Sequence, residues 1–256
     1  MKIGIFDSGI GGLSVLYHLM KILPEEEYIY YADTDNVPYG NKTNDEIIGF
    51  SVKAAEFLLE KGAEIILIAC NTATSVAAEV LRNRLEVPVV GIEPAIKPAV
   101  LDDNSGRILV LATPVTVREK KLHELIDKVD MDHRVDMIGL PLLPEFAEKG
   151  HFDTDEVYDY LVRELSELEL SDYSKVVLGC THFIHFSNIL KKLFGNDVKF
   201  YDGSIGTANN LKRIANTAHL SSNNGFKISF YQSGRPVTDR HTLDFYDLVL
   251  NRLKNC

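Results

Sequence analysis

Ala63-Glu64-Ile65-Ile66-Leu67-Ile68-Ala69-Cys70-Asn71-Thr72-Ala73-Thr74 is the stretch on which the fold turns. Its apolar run, Ile65 to Ala69, predicts a strand buried on both faces, the pattern of a parallel sheet. Cys70 follows, then small polar residues able to cap a helix, and a helix is expected from about Ser75 to Leu85. Chemistry in open α/β sheets gathers at the carboxyl ends of strands, and Cys70 falls at such an end. The plan returns in Lys175-Val176-Val177-Leu178-Gly179-Cys180-Thr181-His182. A single cysteine ending an apolar strand is most often a small buried hydrophobe. A matched pair asks for a second reason.

Working outward, strand and helix signals alternate along the whole chain. Lys2 to Phe6 reads as a strand, Asp7-Ser8-Gly9-Ile10-Gly11-Gly12 as a glycine-rich turn, and Leu13, Leu16, Met20 and Leu23 as the apolar face of a helix. Free backbone N–H groups at such a helix start suit an anion, although the pattern is neither G-x-G-x-x-G nor a P-loop. Glu27 to Tyr31 is a strand, Val37-Pro38-Tyr39-Gly40 a turn, and Thr43 with Glu46 a capping box opening a helix to about Lys61. Val89 to Ile92 is a short strand, with Pro94 expected in the first turn of the next helix. A second series brings strand Ile108 to Ala112, a cap at Thr113, one helix to about Val129, strand Arg134 to Ile138 and a short helix or loop bearing Glu145 and Glu148. Helices at about 155–168 and 183–194 flank the Cys180 strand, and strand Val198 to Tyr201 leads into Asp202-Gly203-Ser204, an echo of Asp7-Ser8-Gly9. A helix to Leu220, a loop Ser221 to Gly225, a strand Phe226 to Tyr231, a helix Asp239 to Leu253 and a frayed Cys256 complete the chain. The expected fold is α/β, as two similar three-layer domains with largely parallel sheets facing each other across a cleft.

Bulk properties narrow the function. With 256 residues, 45% of them hydrophobic and 25% charged, the chain suits an ordinary soluble globular protein. A net charge of -10 argues against nucleic acid or an anionic membrane surface as the main partner. No apolar run reaches a membrane span, and Ile3-Gly4-Ile5-Phe6 is too short for a signal peptide. Three cysteines do not make a disulfide scaffold, so a cytoplasmic home with free thiols is expected.

The polar residues at expected strand ends are Asp7, Ser8, Cys70, Asn71, Thr72, Cys180, Thr181 and His182. There is no Cys-x-x-Cys redox pair, and beyond two Cys and one His the histidines lack metal-ligand spacing. One Cys with a His would suit a thiol hydrolase. Two cysteines on facing domains suit inversion at a carbon acid: one thiolate takes the α-proton and the opposite thiol returns a proton to the other face. A thiol with a reference pKa near ~8.5 can be tuned to serve as either acid or base. Asp7 and His182 would manage the protons, while Ser8, Asn71, Thr72 and Thr181 would hold an amino acid's ammonium and carboxylates. Helix capping explains Asn71-Thr72 and Thr181-His182 equally well when each is taken alone.

Asp7-Ser8-Gly9-Ile10-Gly11-Gly12, Val37-Pro38-Tyr39-Gly40, Ala69-Cys70-Asn71-Thr72-Ala73 and Gly179-Cys180-Thr181-His182 resemble the signature segments of glutamate racemases. Ile92-Glu93-Pro94-Ala95 and Thr113-Pro114-Val115-Thr116 are similar to further family segments, and the matches run in order from Lys2 to about Gly203. The resemblance implies a cofactor-independent enzyme of two α/β domains that interconverts L- and D-glutamate and supplies D-glutamate for peptidoglycan. It implies that Cys70 acts on the α-proton of D-glutamate and Cys180 on that of L-glutamate, with Asp7 and His182 assisting. Ser8, Tyr39, Gly40, Asn71, Thr72, Thr113, Thr116 and Thr181 would lie in or beside the substrate-binding segments, with Glu148 near the site. It implies no metal, allows a homodimer, and divides the chain into residues 1–92 plus 207–256 and residues 93–206. Phe183-Ile184-His185 stands where the family commonly has Tyr-Pro-Leu, the Leu140 to Glu145 stretch is altered, and Ala32 replaces a usual glycine. A racemase of aspartate and a non-catalytic amino-acid-binding protein remain the competing readings.

Overall fold

The computed structural model describes residues 1–102, 106–220 and 225–255, so the loop expected at Ser221 to Asn224 and the terminal Cys256 lie outside the described residues. The chain begins with β1 (Lys2–Asp7), α1 (Leu13–Ile22), β2 (Glu27–Ala32), α2 (Asn44–Glu60), β3 (Ile65–Ile68), α3 (Asn71–Arg84) and β4 (Val89–Gly91). It crosses to α4 (Ile96–Asp102), β5 (Arg107–Ala112), α5 (Pro114–Arg118), α6 (Lys120–Val129), β6 (Val135–Gly139), α7 (Leu143–Glu148), α8 (Asp155–Glu164), β7 (Tyr173–Leu178), α9 (Ser187–Phe194) and β8 (Lys199–Asp202). It then returns through α10 (Ser204–Thr217), β9 (Lys227–Gln232), β10 (Arg235–Pro236) and α11 (Arg240–Arg252).

Two sheets result, one ordered β10-β9-β2-β1-β3-β4 and the other β6-β5-β7-β8. Among the described residues every strand pairing is parallel except β9 with the two-residue β10, which the sequence did not announce. Side chains alternate across each strand, so each sheet feeds two apolar layers. Ile3, Ile5, Tyr28, Tyr30, Ile65 and Leu67 enter a core that continues into Leu109, Leu111, Val176 and Leu178 of the second sheet. The opposite faces feed separate cores, one with Phe6, Ile66 and Ile68 against α2 and α3, the other with Ile108, Val110 and Val177 against α4 and α6. Because one core runs through both lobes, their relative placement rests on packing as well as on the two chain crossings. Those crossings touch: a Cβ on Gly203 would lie 2.4 Å from the Glu93 carbonyl oxygen. Among the described residues no helix is long and apolar enough to cross a membrane.

Several expected boundaries move, each for a local reason. α3 starts at Asn71, earlier than expected, because the Cys70 sulfur itself serves as its N-cap, accepting from the Ala73 N–H at 3.4 Å. Pro94 stays outside α4, which begins at Ile96. The helix expected to run from Thr113 to Val129 is broken at Glu119, whose extended backbone (φ -69°, ψ 127°) ends α5 and opens α6. The helix expected from Phe183 begins as a 3-10 turn, Phe183–Phe186, before α9. The capping box at Thr43 and Glu46 forms as read.

That turn buries His185, which is 1% exposed with both ring nitrogens lacking a hydrogen-bond partner. Burial, then the charges of His182 and Arg252, push its pKa down to about 3. Unpartnered buried polar groups cost about 1–3 kcal/mol, so His185→Leu should stabilise the protein in urea unfolding at neutral pH. The folded pKa lies below the unfolded 6.5, so as pH falls the unfolded chain binds a proton that the folded chain refuses. Stability is therefore lost between about pH 6.5 and pH 3. The advantage of His185→Leu should widen as pH is lowered through this window, by up to ~1.4 kcal/mol per unit. A pH-independent gap would refute the buried neutral imidazole.

Candidate active site

β1 and β3 are neighbours, so their carboxyl ends set Asp7-Ser8 beside Cys70. Cys70 Sγ lies 3.7 Å from Ser8 Oγ. The Asp7 carboxylate folds back in an Asx turn, Oδ1 accepting from the Gly9 N–H at 2.8 Å, and Oδ2 accepts from Thr181 Oγ1 of the other lobe at 3.1 Å. β8 ends in the same turn, with the Ser204 N–H on Asp202 Oδ1 at 2.7 Å, so the echo seen in sequence is an echo in geometry. Thr181 follows Cys180, and Cys180 Sγ is 3.7 Å from His182 Nδ1. Contacts thus run from one sulfur to the other: Cys70, Ser8, the Asp7 turn, Thr181, Cys180. Both thiols are free and buried.

The two sulfurs sit in unlike fields. Burial, then the Asp7 charge, pushes the Cys70 thiol up to about 12, against the pull of the Ala73 N–H. Cys70 is therefore protonated at rest, even though a helix N-terminus normally favours a thiolate. His182 is 2% exposed, and burial opposes its charge. Its contacts to the Cys180 sulfur and the Glu148 carboxylate outweigh burial and raise its pKa well above the ordinary value. A cation thus stands beside Cys180 where an anion stands near Cys70. Asp7 itself is raised by burial, with His182 and the Gly9 N–H pulling the other way.

Glu148, read from sequence only as near the site, is a junction. Its Oε1 meets His182 Nε2 at 2.7 Å and accepts from the Ile10 N–H at 2.7 Å. This explains the glycines of the β1–α1 turn. A Cβ on Gly9 would fall 1.7 Å from Glu148 Oε1, and one on Gly11 would fall 2.4 Å from Thr181 Oγ1 and 2.6 Å from His182 Nδ1. The turn is bare so that the second lobe's site residues can reach it.

The other expected residues divide. Thr72, Thr113 and Thr116 join across the lobes through their hydroxyls, with Thr72 Oγ1 2.9 Å from Thr113 Oγ1 and 3.3 Å from Thr116 Oγ1. Asn71 is buried with both amide atoms unpartnered, and with Thr116 it lines a cavity of about 300 Å³. Tyr39 is different: its hydroxyl donates to Asp33 Oδ2 at 2.6 Å and its ring packs against Phe6 and Phe50. Gly40 beside it packs tightly on Thr113, where a Cβ would sit 3.0 Å from Thr113 Cβ. Tyr30 was not anticipated. Its hydroxyl donates to the Gly9 carbonyl at 2.7 Å and fixes the Asp7 turn, a role hidden because the residue reads as an ordinary strand aromatic.

The Asp/Glu/hydantoin racemase family model matches residues 14–208. Glutamate racemase from Lachnospira eligens is 51% identical over 214 residues, covering 83% of this chain and 81% of that one. Glutamate racemase 2 from Bacillus subtilis is 46% identical over 249 residues, covering 96% and 94%. Among solved structures, glutamate racemase from Francisella tularensis in complex with D-glutamate superposes with a TM-score of 0.82 at 28% identity, covering 98% of this chain and 93% of that one. With similarity of this extent on both counts, the chain belongs to the Asp/Glu/hydantoin racemase family, in the group that holds the glutamate racemases.

Proposed function

We propose that the protein racemises glutamate with its two thiols as acid and base, without a cofactor, and supplies D-glutamate for peptidoglycan in the cytoplasm. The observation that carries this reading is the meeting of the two strand-end cysteine segments at one Asp7-Ser8 turn, Cys70 through Ser8 and the Cys180 segment through Thr181. Starting from L-glutamate, the Cys180 thiolate beside cationic His182 removes the α-proton. The Cys70 thiol, held protonated by burial and by Asp7, delivers its proton to the opposite face. The products are D-glutamate, a Cys70 thiolate and a Cys180 thiol, and the reverse reaction uses the same groups in exchanged roles. His182 stabilises the charge on Cys180, and Asp7 is the nearer electrostatic neighbour of Cys70. The unpartnered Asn71 amide, the Thr72–Thr113–Thr116 hydroxyls and Ser8 are the groups we assign to the ammonium and carboxylates. The same reading makes residues 1–92 with 207–256 one domain and 93–206 the other, the split on which the return of β9 beside β2 bears.

Circular dichroism with L-glutamate and L-aspartate tests the substrate, and faster turnover of aspartate would sink the choice of glutamate. Cys70→Ser and Cys180→Ser should each lower kcat at least about a hundredfold, the scale of a lost acid–base group. Full activity in either variant would refute the two-thiol mechanism, and glutamate binding without α-proton exchange in heavy water would make the protein a binder only.

The inequivalent fields make a second prediction. Only the thiolate is nucleophilic, so iodoacetamide should label Cys180 before Cys70 in the free protein, as read by peptide mass spectrometry. Labelling of Cys70 first would reverse the resting roles assigned here.

A further inference from the structure

The Phe183-Ile184-His185 departure and the C-terminal helix meet at a point that the mechanism above does not use. Arg252, the last residue of α11, extends from the first lobe to the second. Its Nη2 donates to the His185 carbonyl at 3.1 Å and to Asp153 Oδ2 at 2.7 Å, and its guanidinium stacks 4.6 Å over the Phe152 ring. The Phe152 ring in turn lies 5.4 Å from the His185 ring. Higher on α11, Phe245 abuts Gly150, whose positive φ of 73° closes the helix bearing Glu148. One helix therefore grips two segments. The first is the tight turn after Cys180, wound by the Phe183 N–H on the Cys180 carbonyl and the His185 N–H on the His182 carbonyl. The second is the chain running on from Glu148.

These two segments carry the two ends of the His182–Glu148 bond. Each side chain sits only a few residues from an Arg252 contact, with little slack between. A loss of Arg252 would let the turn and the α7 segment drift apart, and His182 would shift against both Cys180 and Glu148. His185 contributes its carbonyl and an uncharged ring, which leaves Arg252 the cation of the cluster.

We propose that α11 is a strut for the Cys180 half of the site, with Arg252 a positioning residue that fixes the distance between His182 and Glu148. The inference rests on the two-thiol reading. Displacing a catalytic group by about 1 Å costs about a hundredfold in rate, so Arg252→Ala should lower kcat between ten- and a hundredfold, with less effect on KM. Arg252→Lys should recover part of the loss, and Asp153→Asn should show a weaker form of it.

The distinguishing readout is the α-deuterium isotope effect on kcat/KM. Slowing proton transfer at Cys180 alone should raise the effect with α-deuterated L-glutamate and lower it with α-deuterated D-glutamate. A merely destabilised enzyme would lose activity in proportion to its unfolded fraction, with both isotope effects at parental values, and that outcome overturns the strut. If the parent fails to racemise glutamate, the proposed function falls and iodoacetamide judges the strut: Arg252→Ala must slow labelling of Cys180 and spare Cys70. Equal labelling of parent and variant would overturn it.

Discussion

A single carboxylate oxygen joins the two lobes at the candidate site. Glu148 Oε1 receives the Ile10 N–H from the β1–α1 turn and faces His182 Nε2 at the same 2.7 Å. Both contacts are short, and partial burial strengthens them by keeping water away. The turn can satisfy the carboxylate only with its backbone exposed, which is why Gly9 and Gly11 carry no side chain there. The Asp7–Thr181 bond adds a second crossing at the same place. The exposed pairs at the rim, Asn44 with Glu119 and Lys121 with Glu79, lie in water and add little.

From this junction the asymmetry of the site follows. The two cysteines occupy matching positions in topology, each just beyond a parallel strand of its own sheet. Their surroundings are opposed. Cys70 has an anion near it and a helix N–H on its sulfur, and burial with Asp7 wins. Cys180 has a buried imidazolium beside it, its charge sustained by the Cys180 sulfur first and by Glu148 next. A symmetric fold alone would leave both thiols in the same surroundings. Asp7 on one side and the Cys180–His182–Glu148 contacts on the other make them differ.

Much of this was legible in the sequence because it depends on local patterns. The apolar runs before Cys70 and Cys180 and the Thr43–Glu46 capping box formed where read, and strands alternate with helices as expected although several boundaries moved. The sulfur as a helix cap was not legible, since cysteine is no usual N-cap. Nor was the break at Glu119, where backbone conformation overrides helix propensity. Glu148 could be placed near the site but not given its two partners, because both are far along the chain. Tyr30 and Arg252 were invisible for the same reason, their roles resting on contacts to Gly9, His185 and Asp153 that only the folded chain creates.

The return of the chain after β8 gains a meaning in this light. β9 extends the first sheet, and α10 packs beside α1, where Ser204 Oγ donates to Ser14 Oγ at 3.0 Å. Such a segment could serve packing alone. Yet α11 ends against the turn that follows His182, whose ring bonds Glu148. The imidazole is thus held through its ring by Glu148, while Arg252 holds the His185 carbonyl of the turn that His182 opens. The two restraints act on different atoms, one on the ring and one three residues along the turn, so together they remove more of the imidazole's freedom against the Cys180 sulfur than either can alone.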